Sequence, residues 1–159
     1  MIKFSADELF EIAKQIERDG ARFYRKAAES TEGENRDLLI RLAEMEDEHE
    51  RAFESMRNEF ATAAGEPPVF DPDNKVMLYL QSVADGKVFG PDPSESLSGN
   101  ESLKDVLTVA IGLEKDSVIF YQSMKGAVSK VIGATSLNAI IAEEIGHVLD
   151  LDQKLKAVS

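Results

Sequence analysis

Leu9, Ile12, Ala13, Ile16, Ala21, Phe23 and Tyr24 recur at three- and four-residue intervals among charged residues, which predicts an amphipathic helix near the start of the chain. Ser5 with Glu8 three residues later reads as its capping box, and the pattern fades near Ser30, before Gly33. A second helix is predicted from about Glu34 through Leu38, Leu39, Leu42, Ala43, Met45, Phe53 and Met56 towards Phe60. Gly65 followed by Pro67-Pro68 is its stop. A third starts near Asn100 and carries Leu103, Val106, Leu107, Ala110, Ile111, Leu113, Ile119 and Phe120. Gly126 and Gly133 bracket the turn into a fourth, from about Ala134 to Lys156.

Between the second and third long helices, residues 65–100 hold the prolines together with several Gly, Ser and Asp, and predict mostly irregular chain. Within it, Asp71-Pro72 opens a short helix through Val76, Met77, Leu80 and Val83 that ends near Gly86. A connection of this length in a bundle crosses from one end to the other. The expected architecture is all-α: a four-helix bundle of two helical hairpins, joined by a long crossover that contains a short helix, as a single domain over residues 1–159.

Composition narrows the chemistry. The chain contains no cysteine, which excludes disulfides, thiolate catalysis and zinc-ribbon or rubredoxin-type metal sites. Its net charge of −12 argues against nucleic acid as a partner and instead favours cations near the surface. The opening Met-Ile-Lys-Phe-Ser-Ala lacks the apolar run of a signal peptide, and no stretch is apolar enough to span a membrane. A cytoplasmic location, with no membrane partner, is the expectation.

Only two histidines occur, His49 and His147, and each follows a glutamate by three residues, Glu46 and Glu144. Three residues along a helix turn the side chain by roughly 300°, so each pair shares a face. On a solvated face such pairs contribute a few tenths of a kcal/mol and nothing more. A second coincidence weighs against that reading. Residues 17–24 read Glu-Arg-Asp-Gly-Ala-Arg-Phe-Tyr and residues 114–121 read Glu-Lys-Asp-Ser-Val-Ile-Phe-Tyr. Glu17 and Glu114 are 97 residues apart, and Glu46 and Glu144 are 98 apart. The chain is therefore a hairpin used twice, with Glu on the first helix of each copy and Glu-x-x-His on the second.

Four carboxylates and two imidazoles directed into one bundle core are the donor set of a dinuclear metal centre. Buried carboxylates are tolerable only when protonated or neutralised, and two divalent ions would balance four of them. Oxygen donors with imidazole suit iron, manganese or zinc.

The set Glu17-x6-Tyr24, Glu46-x-x-His49, Glu114-x6-Tyr121 and Glu144-x-x-His147, with the long connection between the hairpins, resembles the ferritin-like superfamily. It is most similar to rubrerythrin-type proteins that lack a rubredoxin domain. The resemblance covers nearly the whole chain and implies a ferritin-like bundle with two iron ions, or manganese or zinc, held by Glu17, Glu46, His49, Glu114, Glu144 and His147. Glu143, four residues before His147, stays open as a substitute for Glu144. Tyr24 and Tyr121 are read either as hydrogen-bonding the glutamates across the site or as ordinary core aromatics. Asp19 and Asp116 face elsewhere as surface or pairing residues. Asp150, one turn after His147, is a candidate for orienting that imidazole, although Ala52 holds the matching place in the first half.

Two departures qualify the resemblance. Rubrerythrins carry a further Glu three residues after the third-helix ligand, where this chain has Ser117, so the site is expected to be the symmetric six-ligand form. Without cysteine there is no rubredoxin centre either, and electrons must come from an external donor such as a rubredoxin-like protein or a small molecule. The resemblance implies an oxidoreductase that reduces hydrogen peroxide or O2, a di-iron peroxidase, in oxidative stress or iron handling. The alternatives are an iron-binding ferroxidase that sequesters iron without a peroxidase cycle, and a metal-free helical interaction module. A homodimer is the assembly the resemblance implies.

Overall fold

A computed structural model describes residues 6–62, 75–84, 91–128 and 134–158. They form α1 (Ala6–Glu29), α2 (Gly33–Thr62), α3 (Lys75–Ala84), a 3-10 turn at Pro93–Ser96, α4 (Leu103–Val128) and α5 (Ala134–Val158). α1 packs chiefly against α2, and α4 against α5, giving two antiparallel hairpins in one four-helix bundle. None of the described helices is long and apolar enough to cross a membrane.

Local chemistry sets the helix ends. Ser30 and Thr31 turn their hydroxyls back onto the carbonyl of Ala27, closing α1. Gly33 follows with φ 61°, a left-handed conformation open to glycine at little cost, and α2 begins there. At the start of α4, Ser102 Oγ accepts from the amide of Asp105 while the Asp105 carboxylate accepts from Ser102 in return. That reciprocal cap places the helix start at Leu103, slightly beyond the expected Asn100. Gly126, expected in the turn, lies inside α4 instead. Met124 and Val128 on either side of it are buried, and their packing outweighs the roughly 1 kcal/mol that glycine costs a helix. The expected signals at Ser5, Gly65, Pro67-Pro68, Asp71-Pro72, Gly86 and Gly133 lie outside the described residues.

The core is divided in two. One apolar cluster gathers Phe10, Ala13, Phe53, Met56, Phe120, Tyr121, Met124, Leu137 and Ile141. The other gathers Phe23, Tyr24, Ala27, Leu39, Leu42, Leu107, Ala110 and Leu151. Along every long helix the members of one cluster are separated from those of the other by a short stretch carrying Glu17, Glu46 and His49, Glu114, or Glu144 and His147. The bundle thus has a polar layer between two apolar ones. α3 adds Leu80 and Val83 to the first cluster, whereas Leu97, just after the 3-10 turn, belongs to the second. The two described parts of the connection therefore lie against opposite ends of the bundle.

Its far end is tied down by polar contacts. Asp92 caps the 3-10 turn by accepting from the amide of Ser94, and it also pairs with Arg22 of α1. Lys26 donates to the carbonyl of Ser94 at 2.7 Å. The α1–α2 surface carries more ion pairs, Lys14–Glu54, Arg18–Glu50, Arg25–Asp47 and Arg57–Asp7. Lys14 is buried, but the other pairs are partly exposed and contribute little individually.

Candidate metal centre

Glu17, Glu46, His49, Glu114, Glu144 and His147 are all buried in a molecule whose other acidic side chains are largely at the surface. Helical spacing explains the arrangement, because an i,i+3 pair on α2 and another on α5 project into the same layer. Single glutamates from α1 and α4 complete it. One group of potential ligand atoms comes from Glu17, Glu46, His49 and Glu144, and a second from Glu46, Glu114, Glu144 and His147. Within each group the atoms lie within 4.8 Å of one another. Glu46 and Glu144 belong to both, so the two groups interlock.

The histidine rings stand 5.8 Å apart and within 20° of parallel. Each turns Nδ1 towards the carboxylates. Nδ1 of His49 is 2.7 Å from Glu144 Oε1 and 3.5 Å from Glu17 Oε2. Nδ1 of His147 lies 3.4 Å from Glu144 Oε2 and 3.5 Å from both Glu46 Oε1 and Glu114 Oε1. Despite this closeness, Glu17 Oε2, Glu46 Oε1, both oxygens of Glu144 and Nδ1 of both histidines have no hydrogen bond among the described residues. Buried polar atoms are rarely left so, and six lining one layer mark a place where charge must be compensated. Two divalent cations would neutralise four carboxylates and give these atoms partners, so the residues present fit a dinuclear site.

Without a cation the electrostatics are strained. Burial pushes the Glu17 and Glu46 carboxyls well above the ordinary carboxylate range, and neighbouring carboxylates add to the effect. Burial likewise raises Glu114, to about 8. Burial works against ionised Glu144 too, but its contacts with Glu114 and both imidazoles win and hold it low. The imidazoles respond in kind. Burial opposes their charge, yet Glu144 and Glu143 lift His49 to about 9, and Glu114 and Glu144 lift His147 to about 10. Glu144 thus lies between two imidazoles whose charge it favours, while burial disfavours charge on the other three carboxyls.

The tyrosines cross the layer. Tyr24 donates to Glu114 Oε1 and Tyr121 donates to Glu17 Oε1, each from one hairpin to the other. Of the two readings of these aromatics, both describe what is seen, since each ring also belongs to an apolar cluster. Ser117, at the position of the absent additional Glu, is buried and donates to the carbonyl of Leu113. Asp150 is exposed, and among the described residues Nε2 of His147 has no partner, so the expected Asp150 contact is not made.

Glu143 takes a role other than the expected substitute for Glu144, and Gly20 was not foreseen. Glu143 stands outside both ligand groups, half-exposed, with Oε2 at 2.7 Å from Nε2 of His49 on the opposite hairpin. Gly20 faces the layer one turn after Glu17, and a Cβ there would lie 3.0 Å from Glu46 Oε2. Its signal was present in the sequence, because the residue three after each first-helix Glu shares that face, but a lone glycine in a helix does not reveal what lies opposite.

No protein-family model matches the chain, and no curated protein does. Among solved structures, the fold matches the crystal structure of a candidate ferritin-like diiron-carboxylate protein from Thermotoga maritima. The match has a TM-score of 0.70 at 24% identity and covers 100% of this chain and 99% of that one. The architecture is accordingly a ferritin-like four-helix bundle.

Proposed function

We propose that this chain is a dinuclear-metal oxidoreductase, with two iron ions as its working metals and hydrogen peroxide or O2 as the oxidant it reduces. The observation that carries the reading is the pair of interlocking ligand groups, sharing Glu46 and Glu144 within the buried layer. In the proposed assignment Glu17 and His49 would hold one metal and Glu114 and His147 the other, with Glu46 and Glu144 available to both. When bound, the metals supply Lewis acidity and redox equivalents that no side chain of this chain provides. The protein's part is positional. Phe53, Phe120 and Tyr121 on one side and Phe23, Tyr24 and Leu107 on the other close the layer to bulk water. Tyr24 and Tyr121 fix the outer glutamates, and the second oxygen of Glu17 keeps no hydrogen bond among the described residues. The likeness in fold to a candidate diiron-carboxylate protein supports the same reading.

Cysteine is absent, so reducing equivalents would come from an external donor. A homodimer is the proposed assembly, supported by exposed Val109 and Ile119 on α4 and Ile145 and Leu149 on α5. Size-exclusion chromatography tests it.

Anaerobic Fe²⁺ loading tests the site, followed by rapid mixing with peroxide and, separately, with O2. About two irons per chain, oxidised faster by peroxide, are expected. Faster oxidation by O2 would move the reading to a ferroxidase that sequesters iron. Glu46→Ala and His147→Ala should lose metal and activity together; full stoichiometry in both would overturn the assignment.

A further inference from the structure

The two halves of the polar layer are related by the internal repeat, yet they differ at one position. His49 Nε2, the ring nitrogen turned away from the ligand groups, meets Glu143 Oε2 at 2.7 Å. The repeat places Glu143 opposite His49 because it directly precedes Glu144 on α5. The equivalent residue on α2, directly before Glu46, is Met45. A thioether is a poor acceptor, and among the described residues Nε2 of His147 is buried with no partner. One imidazole is therefore anchored through its outer nitrogen, and the other is not.

We infer that Glu143 is a positioning residue that makes the two metal half-sites unequal, the Glu17–His49 half taking its metal first and more tightly. This rests on the dinuclear reading above. Accepting a hydrogen bond from Nε2–H does two things to His49. It keeps the proton on Nε2, so that Nδ1, once a metal displaces its own proton, presents its lone pair to the cation that the carboxylates would also hold, and it stops the ring rotating about its Cβ–Cγ bond. Such an outer partner typically changes metal affinity by about 10–100-fold. His147 must find its tautomer and orientation without that help. Glu143 is half-exposed, so the anchor is also a point at which the surface is coupled directly to a buried ligand.

The test is calorimetric and spectroscopic titration of the metal-free full chain with Co²⁺, whose visible absorption reports coordination at each step. Wild-type protein should bind two ions with affinities separated by about tenfold or more. Glu143→Ala should weaken the tighter step by at least that factor and bring the two steps together. Glu143→Gln removes the charge but keeps a carbonyl acceptor, and should retain most of the separation. Met45→Glu should tighten the weaker step. If wild type binds two ions in separate steps and Glu143→Ala leaves both unchanged, Glu143 has no positioning role. Two equal steps in wild type would also overturn the inference, while leaving the dinuclear site intact. Failure of wild type to bind Co²⁺, Fe²⁺, Mn²⁺ or Zn²⁺ at all would instead remove the dinuclear reading itself.

Discussion

Tyr24 on α1 donates its hydroxyl hydrogen to Glu114 on α4, and the reciprocal bond from Tyr121 to Glu17 runs the other way. The two hairpins are consequently stitched together at the polar layer, where hydrophobic packing is interrupted. Each bond spans from an apolar cluster into the layer, so the tyrosine ring packs while its hydroxyl serves the carboxyl. The position seven residues after each first-helix glutamate makes this possible: two helical turns place both side chains on one face, about 10 Å apart along the axis.

Tyr24→Phe and Tyr121→Phe should each preserve the packed ring and leave a buried carboxyl oxygen without its donor. The expected cost is about 1–3 kcal/mol per substitution in the metal-free protein. Urea denaturation of metal-free samples measures it, with an unchanged slope showing that the bundle still unfolds as one unit. Equal stability in both variants would mean that the bonds contribute nothing net.

Stability of the metal-free protein should fall as pH rises, the opposite of ordinary acid unfolding. Glu17, Glu46 and Glu114 hold protons in the fold that unfolded glutamates release near 4.5, and Glu114 keeps its proton to about 8. His49 and His147 likewise remain charged to about 9 and about 10, against 6.5 in the unfolded chain. Between about pH 5 and about pH 9 the folded state therefore binds more protons than the unfolded one, and stability declines. Glu144 contributes in the other direction only on the acid side, where its depressed value favours the fold above the unfolded 4.5. Bound metal displaces these protons, so metal-loaded protein should not show the decline, and its metal affinity should rise with pH. Melting temperatures of chelator-treated and metal-loaded samples across this range provide the check.

The repeat of Glu, Phe-Tyr and Glu-x-x-His made most of the layer legible, because a helix converts sequence spacing into a shared face. The four long helices were equally readable from their apolar stripes. The 3-10 turn at Pro93–Ser96 was not, since it is held by Asp92 to Arg22 and by Lys26 to the Ser94 carbonyl. Those partners are about seventy residues away and leave no local periodicity. Glu143 was hidden for a related reason. Its sequence neighbour His147 suggested a ligand role through i,i+4 spacing, whereas its actual partner is His49 on the other hairpin. Asp150 shows the reverse case, a residue with suitable spacing that the helix turns to solvent.

Gly20→Ala separates helix propensity from site geometry. Alanine favours a helix interior by about 1 kcal/mol over glycine, so the metal-free protein gains from propensity. The new Cβ would sit 3.0 Å from Glu46 Oε2, closer than a methyl group and a carboxylate oxygen normally approach. Glu46 must then shift within a layer that has little free space. The expected result is little change or a small gain in stability, with weakened binding of both metals, because Glu46 belongs to both ligand groups. Paired thermal unfolding and metal titration measure the two effects; undiminished affinity would show that Glu46 can move without consequence.

Glu17→Gln should expose a conflict between stability and metal binding in the same side chain. Glu17 is fully buried, and at neutral pH its ionisation is opposed by burial and by Glu144 and Glu114. Glutamine keeps the shape and can still accept the Tyr121 hydroxyl, but it cannot ionise. The metal-free variant should therefore be more stable near pH 8, where wild type is strained. A gain of about 1 kcal/mol would raise the melting temperature by roughly 2–4 °C in a domain of this size. Metal affinity should fall in the half served by His49, because a neutral amide is a poorer donor than a carboxylate. A natural sequence that retains the less stable residue is consistent with a fold that gives up some stability to keep a charged site. Differential scanning calorimetry with and without Mn²⁺ resolves both changes. A variant that is less stable without metal would show that the buried Glu17 carboxyl stabilises the bundle itself.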